Sequence, residues 1–294
     1  MPSTSTLGPI DAVVFDVDGV LIDVDGSYIE SVVRTVQWLL VHDASAADDG
    51  PATDRETVRL FKREGSWNND WDLSYGMYRW LLAAAAGRGA TAARAAAGDP
   101  KVAARRSLRE LSTLDGALPA RSYEEVRGIF EEFYTGTDEA VSRYAVAARV
   151  HQAIGLREHE TVLLRGDTIE TLRARGITGF GVVTGRTVFE WEHVRVRLPL
   201  PLELTVATDE DGRKPDPAPL RRVVDSLASR GAAFVGDTLD DLRMVQAHAG
   251  GPSGPLVEAV LVCPAADEPT YRAAGARTFV RSVNDLPEIL AARG

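Results

Sequence analysis

Apolar and β-branched residues dominate Ile10 to Phe15 and give way at Asp16 and Gly19, a pattern that predicts a buried strand. Four more segments read the same way: Ile177–Val183, Leu202–Val206, Ala232–Val235 and Ala259–Cys263. Helical spacing lies between them. Leu220, Val223, Val224 and Leu227 share one face, after Asp216 as the expected N-cap and Pro217 at the first helical position. Leu239 to His248 reads as a second helix. Strands alternating with helices predict an α/β fold, a doubly wound parallel sheet with helices on both faces.

From Val24 to His159 the pattern changes to helix signals with few strand signals. Ser27–Glu30 has the form of a capping box opening a helix with Ile29, Val32, Val33, Val36 and Leu39 on one face. Thr53–Glu56 and Ser122–Glu125 repeat the form. Pro51 and the residues 43–50 before it mark a loop, and the alanine-rich stretch 83–97, broken by Gly87 and Gly89, reads as a loose helix pair or a loop. A block of roughly 135 residues is too long for a connecting loop and is expected to form its own unit. The expected division is therefore 1–23 with 160–294 as the α/β core, and 24–159 as a helical insert. The strand tip where such an insert enters is a favoured place for a binding site.

Composition narrows the function classes. The chain of 294 residues has 33 basic and 43 acidic side chains, a net charge of −10, which disfavours nucleic acid as a partner. Cys263 is the single cysteine, so an internal disulfide framework is excluded and a reducing, cytoplasmic setting is expected. The first residues lack the basic region of a standard signal peptide, and the chain has no apolar run of about 18 residues to span a membrane. Only Lys62, Lys101 and Lys214 are lysines, in a chain whose default cation is arginine. A lysine kept here merits attention, because the two cations are not interchangeable.

The candidate chemistry sits at strand tips. Asp16 and Asp18 are two apart in an extended segment and point the same way. Carboxylates that close repel unless a cation lies between them or one takes a proton, and oxygen-only donors suit Mg²⁺. An ordinary acidic turn after a strand gives the same residues. Thr184-Gly185-Arg186 ends the next core strand with a hydroxyl and backbone amides able to hold phosphate oxygens. Lys214 precedes a helix start, where a point charge can neutralise a phosphoryl group. Asp237 ends another strand, and Asp241 follows one helical turn later on the same face, although Asp237 or Thr238 as a simple N-cap accounts for the pattern as well.

Taken together, Asp16-x-Asp18-Gly-x-Leu21, Thr184-Gly185, Lys214-Pro215 and Gly236-Asp237-x3-Asp241 resemble the four motifs of the haloacid dehalogenase superfamily of aspartate-nucleophile hydrolases. The likeness covers residues 9–23 and 160–294, and the helical insert resembles the type-1 cap of that family's subfamily I. Val24–Tyr28 and Gly65–Trp71 also resemble a small group of phosphatase-like members.

The resemblance implies roles. Asp16 would be the nucleophile that becomes an aspartyl-phosphate, and Asp18 the general acid and then base. Mg²⁺ would be held by the Asp16 carboxylate, the Asp18 backbone carbonyl and the Asp237 carboxylate, with Asp241 orienting water or Lys214. Thr184 and the Gly185 amide would hold phosphate oxygens, opposite Lys214. Asp16, Asp237 and a substrate dianion carry about −4 against about +3 from Mg²⁺ and Lys214, and opposite unit charges about 4 Å apart are worth roughly 4 kcal/mol at an effective dielectric near 20. Turnover is thus expected to need the metal and Lys214.

Asp18 favours phosphoryl transfer over dehalogenation, since a halide leaves without a proton and an alkoxide does not. Phosphonate cleavage in this family uses a cap lysine, for which Lys62 and Lys101 are candidates, but without an acidic residue in the place of Asp18. In the insert, Trp67, Asn69 and Asp70 are candidate contacts for a polar leaving group, against the alternative of a turn flanked by inward-packed tryptophans. Arg186 is expected either at a second anionic group of the substrate or in a surface salt bridge. The expected function is a Mg²⁺-dependent phosphatase for a small polar phosphomonoester: a sugar phosphate, nucleotide or amino-alcohol phosphate such as histidinol phosphate. The alternatives are a sugar phosphomutase of the same fold and a catalytically idle binding or regulatory member. A receiver domain also pairs acids with threonine and lysine, but has no reason for an insert of this length.

Overall fold

In the computed structural model, the described residues are 10–43, 50–64, 67, 69–85, 89–114, 119–201, 204–249 and 255–290. The N-terminal residues read for a signal peptide, most of the 43–50 loop, Gly65, Ser66, Asn68, Gly87 and the start of the Leu202–Val206 strand lie outside them. The chain forms two units, 1–23 with 161–294 and 24–160.

The first unit is built on a six-stranded parallel sheet. Its strands are β1 (Ala12–Phe15), β4 (Gly179–Val183), β5 (Thr205–Ala207), β6 (Gly231–Gly236), β7 (Leu256–Val262) and β8 (Thr278–Val280), in the order β5-β4-β1-β6-β7-β8. A separate antiparallel pair joins β2 (Ile22–Asp23) to β3 (Thr161–Val162) where the insert leaves and rejoins the unit. β2, β3 and β8 were not anticipated: at two or three residues each, they are too short to show alternation. β1 lies at the centre with β4 on one side and β6 on the other. All four of its residues are buried, which is why it reads as apolar rather than alternating.

The second unit is helical: α1 (Glu30–Asp43), α2 (Arg55–Glu64), α3 (Asp70–Ala85), α4 (Ala90–Ala96), α5 (Pro100–Ala104), α6 (Leu108–Ser112), α7 (Tyr123–Thr135) and α8 (Thr137–Tyr144). Val32, Val36, Leu39 and Leu40 of α1 pack with Leu73, Met77 and Leu81 of α3 and with Ile129 and Phe130 of α7 in one core. The alanine-rich stretch therefore supplies the end of α3 and all of α4. Two expected capping boxes do not form. Ser27 lies in a π-helical turn, Asp25–Ile29, and its hydroxyl donates to Val24 O and to Glu160, while Glu30 pairs with Arg34 and Arg55. At α2 the cap is Asp54, which accepts from the Thr57 amide, and Thr53 plays no part. The Ser122–Glu125 box is present at α7.

Returning to the first unit, the chain forms α9 (Gly166–Ala174), α10 (Val188–Arg195), α11 (Ala218–Ser226), α12 (Leu239–Ala249), α13 (Glu268–Ala273) and α14 (Leu286–Ile289). Leu220, Val223 and Val224 of α11 and Met244 and Val245 of α12 cover the sheet face carrying Ala12, Val14, Ala232 and Phe234. Asp216 Oδ1 accepts from the Ala218 amide at the start of α11. Among the described residues no helix is long and apolar enough to cross a membrane.

Candidate active site

Parallel pairing brings three of the four motif segments to one end of the sheet. Phe15 stands level with Val182 of β4 and Val235 of β6, so the residues that follow these strands emerge side by side. The Asp16 amide still donates to Val235 O (2.8 Å), and the Thr184 amide to Ala207 O (3.0 Å). Asp16, Thr184 and Asp237 thus share the carboxyl edge where the strand order turns outward from β1, the place where open α/β sheets bind ligands. The loop after β5 brings Lys214 to the same edge.

Asp16 is buried. Its Oδ1 accepts from the Val17 amide at 2.7 Å and lies 2.8 Å from Lys214 Nζ. Lys214 Nζ is also 2.7 Å from Asp241 Oδ1 and 5.7 Å from the centre of the Phe234 ring. A compact ammonium serves two carboxylates here, a task for which a planar guanidinium is poorly shaped. Asp241 is fully buried, and its Oδ2 accepts from the Asp237 amide, the Thr238 amide and the Thr238 hydroxyl. It therefore folds the β6–α12 turn and orients Lys214 together.

Asp237 sits against the β1 turn. Gly19 has φ +72°, and a Cβ there would lie 2.2 Å from Asp237 Oδ2, so only glycine lets the carboxylate approach this backbone. From the other side the Tyr271 hydroxyl donates to Asp237 O at 2.8 Å. Tyr271 was missed in the sequence, and no local signal marks it, because α13 brings it in 34 residues further along the chain.

Burial pushes the Asp16 carboxyl up; Lys214 pulls it back, and the Asp241 and Asp18 carboxylates raise it again, to about 7. Burial alone would discharge Lys214, but the facing Asp16 and Asp241 outweigh it and hold the ammonium above the ordinary lysine range. Burial likewise keeps the Tyr271 phenol protonated, helped by the nearby Asp237.

Asp18 lies two residues beyond Asp16 with its side chain 32% exposed. Its Oδ1 accepts from Arg186 Nε (2.8 Å) and Nη2 (2.6 Å). This corrects the expectation for Arg186. The guanidinium is fully buried and paired to Asp18, rather than free for a second anionic group or lying in a surface salt bridge. Gly185 is exposed between the buried Thr184 and Arg186, with open space where a Cβ would lie.

Asp16, Asp237 and Asp241 each bring one carboxylate oxygen within 4.8 Å of the others. Oxygen-only donors at a buried tip fit a small hard cation such as Mg²⁺. Asp241 is already engaged by Lys214 and three N–H or O–H donors, which leaves Asp16 and Asp237 as the carboxylates best placed for the ion.

The insert residues proposed as leaving-group contacts have structural tasks, which corrects that expectation. Trp67 is buried in the helical core and its Nε1 donates to Ala104 O at 2.7 Å. Asn69 Oδ1 accepts from the amides of Trp71 and Asp72, both at 3.0 Å, and so caps α3. Asp70 pairs with Lys62 at 2.9 Å. The turn reading accounts for all three.

Comparison with known proteins matches the chain to a family. The family model described as haloacid dehalogenase-like hydrolase matches residues 10–248. A curated relative, imidazoleglycerol-phosphate dehydratase of Phytophthora nicotianae, is 25% identical over 242 residues, 80% of this chain and 40% of that protein. The chain thus spans well under half the length of that relative. Among solved structures, the phosphatase Tt82 from Thermococcus thioreducens aligns with a TM-score of 0.63 at 23% identity, covering 94% of this chain and 99% of that one. A putative phosphoglycolate phosphatase from Lactobacillus delbrueckii subsp. bulgaricus aligns with a TM-score of 0.56 at 17% identity, covering 95% and 98%.

Proposed function

Since the chain belongs to the haloacid dehalogenase-like hydrolases, we propose that it is a Mg²⁺-dependent phosphatase acting on a small polar phosphomonoester through an aspartyl-phosphate. The observation that carries this reading is the pair of carboxyl groups at one strand tip, Asp16 against Lys214 and Asp18 partly exposed beside it. An alkoxide leaving group needs a proton donor and a halide does not, so a second carboxyl at this position favours phosphoryl transfer.

In this mechanism an Asp16 oxygen attacks phosphorus and the bond to the ester oxygen breaks, its electron pair leaving with the alcohol oxygen. The Asp18 carboxyl gives that oxygen its proton. In the second half Asp18 takes a proton from water as the water oxygen attacks phosphorus, and the Asp16–phosphorus bond breaks to release phosphate. The Thr184 hydroxyl and the Gly185 amide hold phosphate oxygens, and the Lys214 ammonium balances charge opposite them. Asp16, Asp237 and the Asp18 carbonyl would hold Mg²⁺, which would supply further charge neutralisation when bound.

The substrate class is supported by the similar proteins: phosphatases, and an enzyme named for imidazoleglycerol phosphate, a polar phosphate ester. Sugar phosphates, nucleotides and amino-alcohol phosphates all belong in the panel. A cytoplasmic setting accords with the single, buried cysteine.

The test is phosphate release from a broad panel of phosphomonoesters, with Mg²⁺ and with EDTA, for wild type and Asp16→Asn. Release that requires the metal and vanishes in the variant is expected. No release from any ester sinks the phosphatase reading.

A further inference from the structure

Arg186 carries the largest fully buried charged side chain of the described residues, and the four-motif reading gives it no task. Its side chain and its backbone both reach the site. Its Nε and Nη2 both donate to Asp18 Oδ1, linking residues 168 positions apart. Its amide donates to Thr184 Oγ1 at 3.1 Å. Its carbonyl accepts from the Asp209 amide at 3.0 Å, so its backbone is tied to the turn after β5 as well.

Each contact has a chemical consequence. Two charge-assisted hydrogen bonds from a buried guanidinium to Asp18 Oδ1 restrain that carboxyl group where it stands. Two donors on one carboxylate oxygen fix the carboxyl plane on its buried side, while the exposed side stays open to an incoming ester. Thr184 Oγ1, already accepting from the Arg186 amide, is left to turn its own hydroxyl hydrogen outward, as a donor. The proton-transfer group and the phosphate holder are thus both bonded to one residue, and these contacts lie within the first unit.

We propose that Arg186 is a positioning residue of the reaction, which aims Asp18 at the leaving-group oxygen and Thr184 at the phosphate. The proposal rests on the phosphatase reading. It places the alignment of the acid–base group in the α/β unit itself, with specificity left to other residues.

The test compares p-nitrophenyl phosphate, whose leaving group departs readily, with phenyl phosphate, whose leaving group needs proton transfer more. In Arg186→Met, kcat on phenyl phosphate falls roughly 10- to 100-fold further than on p-nitrophenyl phosphate, with KM little changed, the selective loss expected when general acid catalysis is impaired. Asp18→Asn shows the same selectivity, and the double variant adds little, because the two act as one unit. Arg186→Lys keeps the charge but not the two-donor fork and falls between. It also carries the comparison if Arg186→Met does not fold, which a thermal melt decides. Equal losses on both esters overturn the proposal, since a purely structural arginine would give them. So does a raised KM at unchanged kcat, the mark of a substrate-binding arginine. Should the wild type turn over neither aryl ester, the same comparison is made on two esters of the broad panel that differ in leaving group, and release from no ester of that panel overturns the phosphatase reading and the proposal together. A wild type that releases phosphate, with no ester selectivity in the variants, overturns the proposal alone.

Discussion

At the scale of single residues, the site is an exercise in close approach. Gly19 and Gly236 stand where the two acidic turns crowd together: a Cβ at Gly236 would lie 2.6 Å from Asp241 Cβ, as one at Gly19 would collide with Asp237. Gly19→Ala is expected to cost roughly 1–3 kcal/mol from the positive φ alone, with a further loss as Asp237 is displaced. Urea melts report the first effect, and a weakened response of the melting temperature to Mg²⁺ reports the second. An unchanged Mg²⁺ response would mean that Asp237 does not hold the ion. The acids, Thr184 and Lys214 were legible in the sequence because their types and order are distinctive. The partners of those groups were not. Nothing near Arg186 in the chain says that its charge is answered 168 positions earlier, and nothing near Tyr271 points to Asp237.

At the scale of elements, local signals succeeded where no distant partner took the same atoms. The Ser122–Glu125 box forms at α7, where Glu125 meets the serine through Oε2 and its distant partner Arg149 takes only the other oxygen. The same spacing at Ser27–Glu30 fails because Glu160 takes the serine and two arginines take the glutamate. β1 is anchored at its start in a similar, non-local way. Asp11 accepts from Ser229 Oγ (2.7 Å), from Arg230 Nε (2.8 Å) and from the Arg230 amide, just before β6. Its modest burial opposes ionisation, but these bonds outweigh it and hold the carboxyl down at about 2. A carboxyl depressed in the folded state stabilises the protein above its unfolded value near 3.8, and that stability is lost as pH falls toward about 2. Asp11→Asn should therefore cost about 1 kcal/mol at neutral pH, a figure reduced for solvent screening of the exposed Arg230. The gap between variant and wild type in urea melts should close on acidification below about pH 4. A gap independent of pH would assign the effect to packing instead.

At the scale of the whole molecule, the chain divides into two units with separate cores, one layered around a parallel sheet and one helical. All the motif acids, Lys214 and Arg186 belong to the first. Mg²⁺ at 100-fold excess over its dissociation constant is expected to stabilise that unit by about 2.7 kcal/mol. The melting temperature of the wild type should rise accordingly, and that of Asp237→Asn should not. A rise of equal size in the variant would place the ion elsewhere. Trp67, Asn69 and Asp70 hold the helical unit together, so their replacement should lower its stability before it alters catalysis.

The sequence by itself determined the class of fold and offered the acids, Thr184 and Lys214 as candidates at the strand tips. Periodicity, caps and residue type are local properties, and a buried parallel strand ending in acids looks distinctive on its own. Tertiary structure alone decided which charges are answered and by what. Arg186 turned from a surface or substrate residue into the partner of Asp18, and the Trp67–Asp70 cluster from a binding patch into a core and a cap. The physical reason is that a polar side chain takes the best partner within a few ångströms, and only the folded chain decides which groups come that close.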